Sequence, residues 1–155
     1  MRAWRVNELG HPSVSLRLED VADPEPGPGE VAIRVEAGNV NFADILLCQG
    51  IYQDRPGVPF TPGLETCGVV EKVGPGVDVP IGVRAAGMSA LPRGGYAEKA
   101  LLRAHTVLQM PHDIPAPDAT VLYSTYQTSH VGLFHRGRLQ AGEWLLVHAG
   151  AGGVG

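Results

Sequence analysis

Alternation of apolar and polar residues is the first regular pattern along the chain. It occurs over residues 16–19 and again over residues 31–37, where Arg34 and Glu36 separate apolar positions. A period of two predicts β-strands that bury one face and leave the other face in solvent. Between these segments, residues 24–29 read Pro-Glu-Pro-Gly-Pro-Gly and predict a rigid turn that cannot lie inside a sheet.

The next segment predicts one short helix in a region otherwise rich in strands. Phe42, Ile45 and Leu46 recur at helical spacing within residues 41–49, and Gly50 is placed to end the helix. The prolines that follow predict an irregular loop. Strands are predicted again over residues 68–73, 85–88 and 96–102. Together these elements predict a mostly β fold, a partly closed and irregular barrel with one small helix.

Beyond residue 111 the pattern becomes helical. Residues 118–135 predict two short helices or one broken helix, with interruptions near Ser124 and Gly132. Residues 144–148 are nearly all apolar, which is typical of a strand buried on both faces of a parallel sheet. The chain is therefore predicted to contain two units, a barrel over residues 1–114 and the start of an α/β domain over residues 115–155.

Composition narrows the class of protein. The chain has 155 residues, is 44% hydrophobic and 18% charged, and carries a formal net charge of −4. The absence of a basic stripe argues against nucleic acid and anionic membranes as partners. Two cysteines, Cys48 and Cys67, cannot form a disulfide framework. With no signal peptide and no apolar run of membrane-spanning length, the sequence predicts a soluble, cytoplasmic protein.

A glycine-rich turn is the sharpest chemical signal in the sequence. The apolar segment 145–149 leads into G-x-G-x-x-G, with Gly150, Gly152 and Gly155 in the three glycine positions. Such a turn lets a dinucleotide pyrophosphate approach the backbone at the start of a helix. The helix and the acidic residue expected about twenty positions later do not follow within the chain. The sequence therefore predicts the front part of a nucleotide-dependent enzyme.

Seven stretches, in order, resemble the zinc-independent quinone oxidoreductase (zeta-crystallin-like) group of the medium-chain dehydrogenases/reductases. These stretches are residues 26–31, 40–44, 50–52, 59–65, 68–74, 94–98 and 147–155. The resemblance covers essentially the whole chain and corresponds to the N-terminal half of such an enzyme. It implies a GroES-like barrel followed by a truncated Rossmann domain. It also implies NADPH as hydride donor, a quinone or another electron-poor enone as acceptor, and it leaves open a homodimer for the full-length form.

Departures from the zinc-dependent relatives concern the metal. Those relatives have a cysteine near the position of Asp44 and a histidine where this chain has Leu64, which cannot bind a metal. The four-cysteine structural zinc lobe is missing too, and the six histidines are scattered without a spacing typical of a zinc site. No metal ligand is therefore expected. Val83 replaces the usual Asp in a shortened loop, which affects the local turn.

Three residues are expected to act on the cofactor or the acceptor. Tyr52 resembles a family residue that faces the acceptor, and its phenol can donate a hydrogen bond to a developing oxyanion. Asn41 and Thr128 resemble family residues near the nicotinamide. Structural alternatives remain open for each: a half-buried loop aromatic for Tyr52, a helix N-cap for Asn41, and a backbone hydrogen bond for Thr128. Structural roles are favoured for Asp44, in a capping arrangement, and for Glu65.

The cofactor itself is expected to bind along the glycine-rich turn. The residues concerned are Gly150, Ala151, Gly152, Gly153, Val154 and Gly155, together with Asn41 and Thr128. Two alternatives stay open. Within enzymes, an enoyl or alkenal reductase would use the same residues. Outside enzymes, the chain would be an isolated, non-catalytic barrel or a partner-binding fragment that exposes its apolar segment 144–147.

Overall fold

Two long antiparallel strands form the centre of the structure, a computed structural model that describes residues 1–155. These are β3 (Glu30–Gly38) and β4 (Glu65–Val73), which pair along most of their length. The remaining strands are β1 (Arg2–Val6), β2 (Leu16–Asp20), β5 (Arg84–Met88), β6 (Lys99–Arg103) and β7 (Leu108–Gln109). A five-stranded sheet has the order β6-β3-β4-β5-β7, and β1 and β2 form a separate antiparallel pair. The prediction of a mostly β fold is confirmed.

Strand β3 departs from the predicted alternation in its first half. Val31, Ala32 and Ile33 are all buried, because Val31 and Ile33 face the main core while Ala32 packs against Ala90 and Leu101 on the other side. A strand of a sheet is buried on both faces wherever other segments of the chain pack against its outer face as well. The prediction of one solvated face therefore holds only beyond Arg34, where burial alternates.

Two apolar clusters hold the barrel together. The first packs the strands of the main sheet and consists of Val31, Ile33, Val70, Ala85, Ala100 and Leu102. The second joins β1, the first long helix and the loop before β4, and consists of Val6, Leu47, Cys48, Phe60 and Leu64. Each large side chain in these clusters contributes about 1.5–3 kcal/mol of burial free energy. Strand β1 was not predicted, although alternate residues such as Ala3 and Arg5 are buried.

The predicted short helix is confirmed as α2 (Phe42–Gln49), preceded in the chain by the single turn α1 (Pro12–Ser15). Gly50 ends α2 in the left-handed region, with φ of 72°, as predicted. The buried face of α2 is not the one that the spacing of Phe42, Ile45 and Leu46 predicts. The helix buries Asp44, Leu47 and Cys48 instead. Phe42 is 72% exposed. A carboxylate thus occupies a core-facing position of this helix.

A broken helical run follows the barrel. It consists of α3 (Ala116–Thr120), a π-helical turn over Leu122–Tyr126, α4 (Gln127–His130) and a second π-helical turn over Val131–Arg136. The wide turns have i to i+5 hydrogen bonds, from Tyr126 N to Val121 O at 2.9 Å and from Gly137 N to Gly132 O at 2.8 Å. The predicted interruptions near Ser124 and Gly132 coincide with these turns.

The strand predicted over residues 144–148 is wrong for this structure. These residues have no strand pairing, and Trp144 and Leu146 are 101% and 79% exposed. A buried parallel strand needs neighbours on both edges, and no strand of residues 1–155 lies beside this segment. No helix has both the length and the apolar composition required to cross a bilayer.

Close approach of β3 and β4 makes Gly68 irreplaceable. A Cβ atom at Gly68 would lie 2.1 Å from the carbonyl oxygen of Arg34. We expect Gly68→Ala to lower the free energy of unfolding by more than about 2 kcal/mol, since the strands would have to separate. Chemical denaturation measures this loss.

Gly57→Ala is the matched control for this substitution. A Cβ atom there has no neighbour within 4 Å, so the change should stay within about 0.5 kcal/mol. Equal free energies of unfolding for the two variants would contradict the expectation that separating β3 from β4 destabilises the protein.

Candidate functional site

Glu65 begins β4 with a fully buried side chain, and four groups donate hydrogen bonds to its carboxylate. Oε2 accepts from Asn39 Nδ2 at 2.9 Å, from Asn41 Nδ2 at 2.8 Å and from the Thr125 hydroxyl at 3.2 Å. Oε1 accepts from the backbone N–H of Ser124 at 2.6 Å. A buried carboxylate requires such donors to offset its lost hydration. The favoured structural role of Glu65 is therefore what the structure shows.

Asp44 forms a second buried acceptor site on the opposite side of Asn41. Its Oδ2 accepts from the Asn41 backbone N–H at 2.9 Å, which caps α2, and its Oδ1 accepts from the N–H groups of Gly63 and Leu64 at 3.0 and 3.1 Å. Burial raises the pKa of Asp44, and the three backbone hydrogen bonds oppose that rise. The capping arrangement expected for Asp44 is confirmed.

Glu65 lines a cavity of about 270 Å³ where the barrel meets the helical run. Its lining comes from the start of α2, the loop after α2, the facing ends of β4 and β5, the first π-helical turn and the glycine-rich turn. The lining residues are Asn41, Phe42, Ala43, Tyr52, Leu64, Glu65, Met88, Ser124, Thr125, Gly153 and Val154. Apart from the Glu65 carboxylate and the Tyr52 phenol, none of these side chains is ionisable. The cavity therefore suits an uncharged group with few polar atoms.

Four of the predicted site residues meet in this cavity: Asn41, Tyr52, Gly153 and Val154. The Tyr52 ring packs against the second apolar cluster and makes no side-chain hydrogen bond within the chain, so its hydroxyl is free to meet a ligand. Asn41 occupies the N-cap position of α2, but its amide nitrogen donates to Glu65. The cap and ligand roles of Asn41 are thus compatible.

Thr128 lies outside this cavity. It is exposed and lines an adjoining cavity of about 520 Å³, which shares Met88 and Ser124 with the first. Of the glycine-rich turn, Gly155 lies with Thr128 in a third cavity, formed against the exposed apolar segment. Gly150, Ala151 and Gly152 line none of these three cavities. The structure therefore brings the barrel residues together with only one end of the predicted cofactor-binding turn.

The backbone of the glycine-rich turn packs closely around the carbonyl oxygen of Ala149. Gly152 N donates to Ala149 O at 2.7 Å, and a Cβ atom at Gly155 would lie 2.4 Å from the same oxygen, so the turn tolerates no side chain there. A Cβ atom at Gly153 would project to 3.5 Å from Asn41 Oδ1 and narrow the cavity mouth. Within residues 1–155 no helix follows this turn to supply an N-terminal dipole.

Few side chains in this structure are suited to bind a metal ion or to act as a nucleophilic thiol. No three histidine, cysteine, aspartate or glutamate side chains stand close enough together to hold a metal ion. Leu64 is 4% exposed and packs in the second apolar cluster. Both cysteines are buried, and burial raises the pKa of Cys48 and of Cys67 to about 11. Protonated thiols in apolar surroundings are poor nucleophiles.

Sequence reasoning missed Asn39, Ser124 and Thr125. Asn39 and Asn41 stand two residues apart on extended backbone, and this spacing places both amides on one side. That spacing was the available signal for Asn39. The hydrogen bond of Ser124 uses its backbone, so its side-chain type carries no signal. Tyr96 was also missed; its hydroxyl donates to Asn39 O at 3.2 Å, and burial raises its pKa.

Comparison with known proteins agrees with this arrangement. A family model described as the alcohol dehydrogenase GroES-like domain matches residues 27–112, more than half of the chain. The chain belongs to the GroES-like domain family of the alcohol dehydrogenases. This GroES-like protein is 40% identical to the quinone oxidoreductase of Lama guanicoe over 156 residues, covering 100% of the chain and 47% of that relative.

Solved structures show the same similarity. A mycobacterial protein determined in complex with NADPH superposes with a TM-score of 0.88 at 36% identity, over 99% of this GroES-like chain and 47% of that chain. The quinone oxidoreductase of Thermus thermophilus gives a TM-score of 0.79 at 36% identity, with the same coverage. The predicted resemblance to the N-terminal half of quinone oxidoreductases is confirmed, and the chain spans about half the length of the relatives it matches.

The buried Asp44 of this GroES-like protein gives its stability a defined pH dependence. Because the native pKa of Asp44 is raised above its ordinary value of 3.8, the native state binds this proton more tightly than the unfolded chain does. The contribution of protonated Asp44 to the free energy of unfolding is therefore fully present below about pH 4, and it is lost as pH rises through the native pKa.

We expect the unfolding free energy of the wild type, measured relative to Asp44→Asn, to fall as pH rises from about 4 towards neutrality. The variant also loses the acceptor for the Asn41 N–H, which adds a constant offset that does not depend on pH. Urea denaturation at a series of pH values measures the slope. Parallel curves for the two proteins would contradict the assigned shift.

Proposed function

We propose that this GroES-like domain is the N-terminal part of an NADPH-dependent oxidoreductase that transfers a hydride to a quinone or another electron-poor enone without zinc. The observation that carries this proposal is the cavity shared by Asn41 and Tyr52 with Gly153 and Val154 of the glycine-rich turn. Groups expected to contact the acceptor and groups expected to contact the cofactor thus line one cavity. The quinone oxidoreductases among the relatives, and two related structures determined with NADPH, support the same reaction.

The domain division belongs to the same proposal. Residues 1–114 form the barrel that contacts the acceptor, and residues 115–155 form the start of the nucleotide-binding domain. Hydrogen bonds from Ser124 and Thr125 to Glu65 join the two units at the cavity. A cytoplasmic location and a homodimer of the full-length form are part of this proposal as well.

NADPH, when bound, supplies the hydride. The backbone of residues 150–155 would hold the pyrophosphate, because the glycines have no side chains in its way, and Asn41 would contact the nicotinamide end from the barrel side. Thr128, one cavity away, contacts the cofactor from the helical side. These contacts would align donor and acceptor, and such positioning lowers the barrier of a transfer between two bound groups.

Negative charge develops on the acceptor oxygen as the hydride arrives, and a donor must meet it. Tyr52 has a hydroxyl proton to donate, whereas the Glu65 carboxylate can only accept and already binds four donors. Its hydroxyl donates to the oxygen of the quinone or enone. Leu64 stands where zinc-dependent relatives place a histidine, so the polarising role passes from a metal to this phenol. An enoyl or alkenal reductase would use the same donor, and acceptor profiling separates these substrates.

A second candidate function rests on the apolar segment 144–147. Trp144 and Leu146 expose most of their surface, which favours contact with another polypeptide segment. In that case the domain acts by binding a partner and reduces nothing. The intact denatured mass of the natural protein decides between the two. A mass near twice 16.4 kDa supports the reductase, and a mass of 16.4 kDa supports the partner-binding domain.

The natural gene product should oxidise NADPH in the presence of a 1,4-quinone without added metal. Activity should survive extended treatment with a chelator, because no metal polarises the acceptor in the proposed reaction. The loss of NADPH absorbance measures the rate before and after chelation. Complete inactivation that zinc restores would refute the zinc-free mechanism.

Tyr52→Phe should reduce turnover by roughly 10-fold to 100-fold with little change in NADPH affinity, because the hydroxyl acts mainly in the transition state. Tyr126→Phe is the matched control, since Tyr126 is 60% exposed and lines none of the three cavities described above. Steady-state kinetics with the quinone and a separate binding titration measure the two effects. Unchanged turnover in Tyr52→Phe would return Tyr52 to a structural role.

A further inference from the structure

The amide of Asn41 has two chemically different ends, and the structure fixes which end meets a ligand. Its Nδ2 donates to Glu65 Oε2 at 2.8 Å. Its Oδ1 lies on the other side, where it is the nearest atom, at 3.5 Å, to a Cβ atom built at Gly153. Asn39 Nδ2 makes only a long contact of 3.4 Å to Oδ1. The oxygen therefore retains a lone pair that faces the cavity and the glycine-rich turn.

Glu65 decides this orientation because its carboxylate can only accept. Its other partners are the amide of Asn39, the backbone N–H of Ser124 and the hydroxyl of Thr125, and all of them donate. A flipped Asn41 would place Oδ1 against Glu65 Oε2, two acceptors in contact inside a buried site. Such a contact loses a hydrogen bond to a charged group and adds repulsion.

We propose that Glu65 is a positioning residue that holds Asn41 as a hydrogen-bond acceptor and so selects a ligand with an N–H donor at this point. In the proposed function the group that meets this requirement is the primary carboxamide of the nicotinamide, because its NH2 can donate to Asn41 Oδ1. This inference rests on the proposed function, in which Asn41 contacts the nicotinamide end of the cofactor. It adds the direction of the hydrogen bond and the residue that sets it.

Replacing Glu65 with glutamine should reverse this polarity. The Ser124 N–H belongs to the backbone and remains a donor, so the new side-chain carbonyl must face it at the former Oε1 position. The new NH2 group then occupies the Oε2 position, where Asn41 must offer its oxygen to form a hydrogen bond. Asn41 flips and turns its own NH2 towards the glycine-rich turn. The Asn39 amide, which donates to the same oxygen, must flip as well, and the Thr125 hydroxyl can rotate to accept or turn away.

The test compares NADPH with its 3-acetylpyridine analogue, which replaces the carboxamide NH2 by a methyl group and keeps the carbonyl. Calorimetric titration of the natural gene product gives the ratio of the two dissociation constants. We expect the wild type to prefer NADPH by roughly 5-fold to 10-fold, the size of one net hydrogen bond. Glu65→Gln should bring this ratio to about one or below, because a donor at position 41 gains nothing from a second donor.

Glu98→Gln is the matched control, because Glu98 is a surface residue paired with Arg2 and lines no part of the cavity. Its ratio should equal that of the wild type. A wild type that binds both compounds equally, or a Glu65→Gln variant that keeps the wild-type ratio, would overturn the inference while leaving quinone reduction by the wild type intact. Failure of the wild type to bind NADPH at all would overturn the inference and the proposed function together.

Side-chain NMR of the wild type gives a reading that does not depend on a folded Glu65→Gln variant. In protein with 15N-labelled asparagine, the Asn41 amide protons should show nuclear Overhauser effects to Thr125, because both groups donate to the same oxygen. Effects to the Gly153 α-protons would instead place the NH2 group at the turn and contradict the proposed orientation.

Discussion

Burial of the Glu65 carboxylate constrains the site more than any apolar contact does. An ionised carboxylate removed from water costs several kcal/mol unless donors replace its hydration. The donors here come from residues 39–41 and from residues 124–125, on opposite sides of β4 in the sequence. Movement of either segment would remove two of the four donors from the buried charge. The fixed geometry of the cavity follows from that electrostatic requirement.

Asp44 extends the same principle to the start of α2. Its carboxylate binds the backbone N–H of the N-cap residue Asn41 and two N–H groups of the loop that leads into β4. Asn41 stands between the two acids, with its backbone bound to Asp44 and its side chain bound to Glu65. Its position and its orientation are therefore set by different residues. This division explains how a single asparagine can cap a helix and still present one defined face to a ligand.

Much of the barrel was predictable, because its strands and α2 follow local patterns. The alternation over residues 31–37, the glycine at position 50 and the glycine-rich turn each encode their structure within a few residues. Other features depend on distant partners. The double burial around Ala32 arises from loops far along the chain, and the apolar segment 144–148 lacks a neighbouring strand. Local pattern specifies what a segment can form, whereas pairing decides whether it forms.

The residues of the candidate site that were predicted came from the family resemblance and from the glycine-rich motif. Asn41, Tyr52 and the turn at residues 153–154 were found and meet in one cavity, whereas Thr128 lies in the next. Ser124 escaped because it contributes a backbone N–H. In a regular α-helix that N–H would donate to the carbonyl of Thr120. The wide turn over Leu122–Tyr126 accompanies its use by Glu65 instead. Redesigning this segment as a regular α-helix would therefore remove the N–H of Ser124 from the Glu65 carboxylate. The irregular turn should be kept in any redesign.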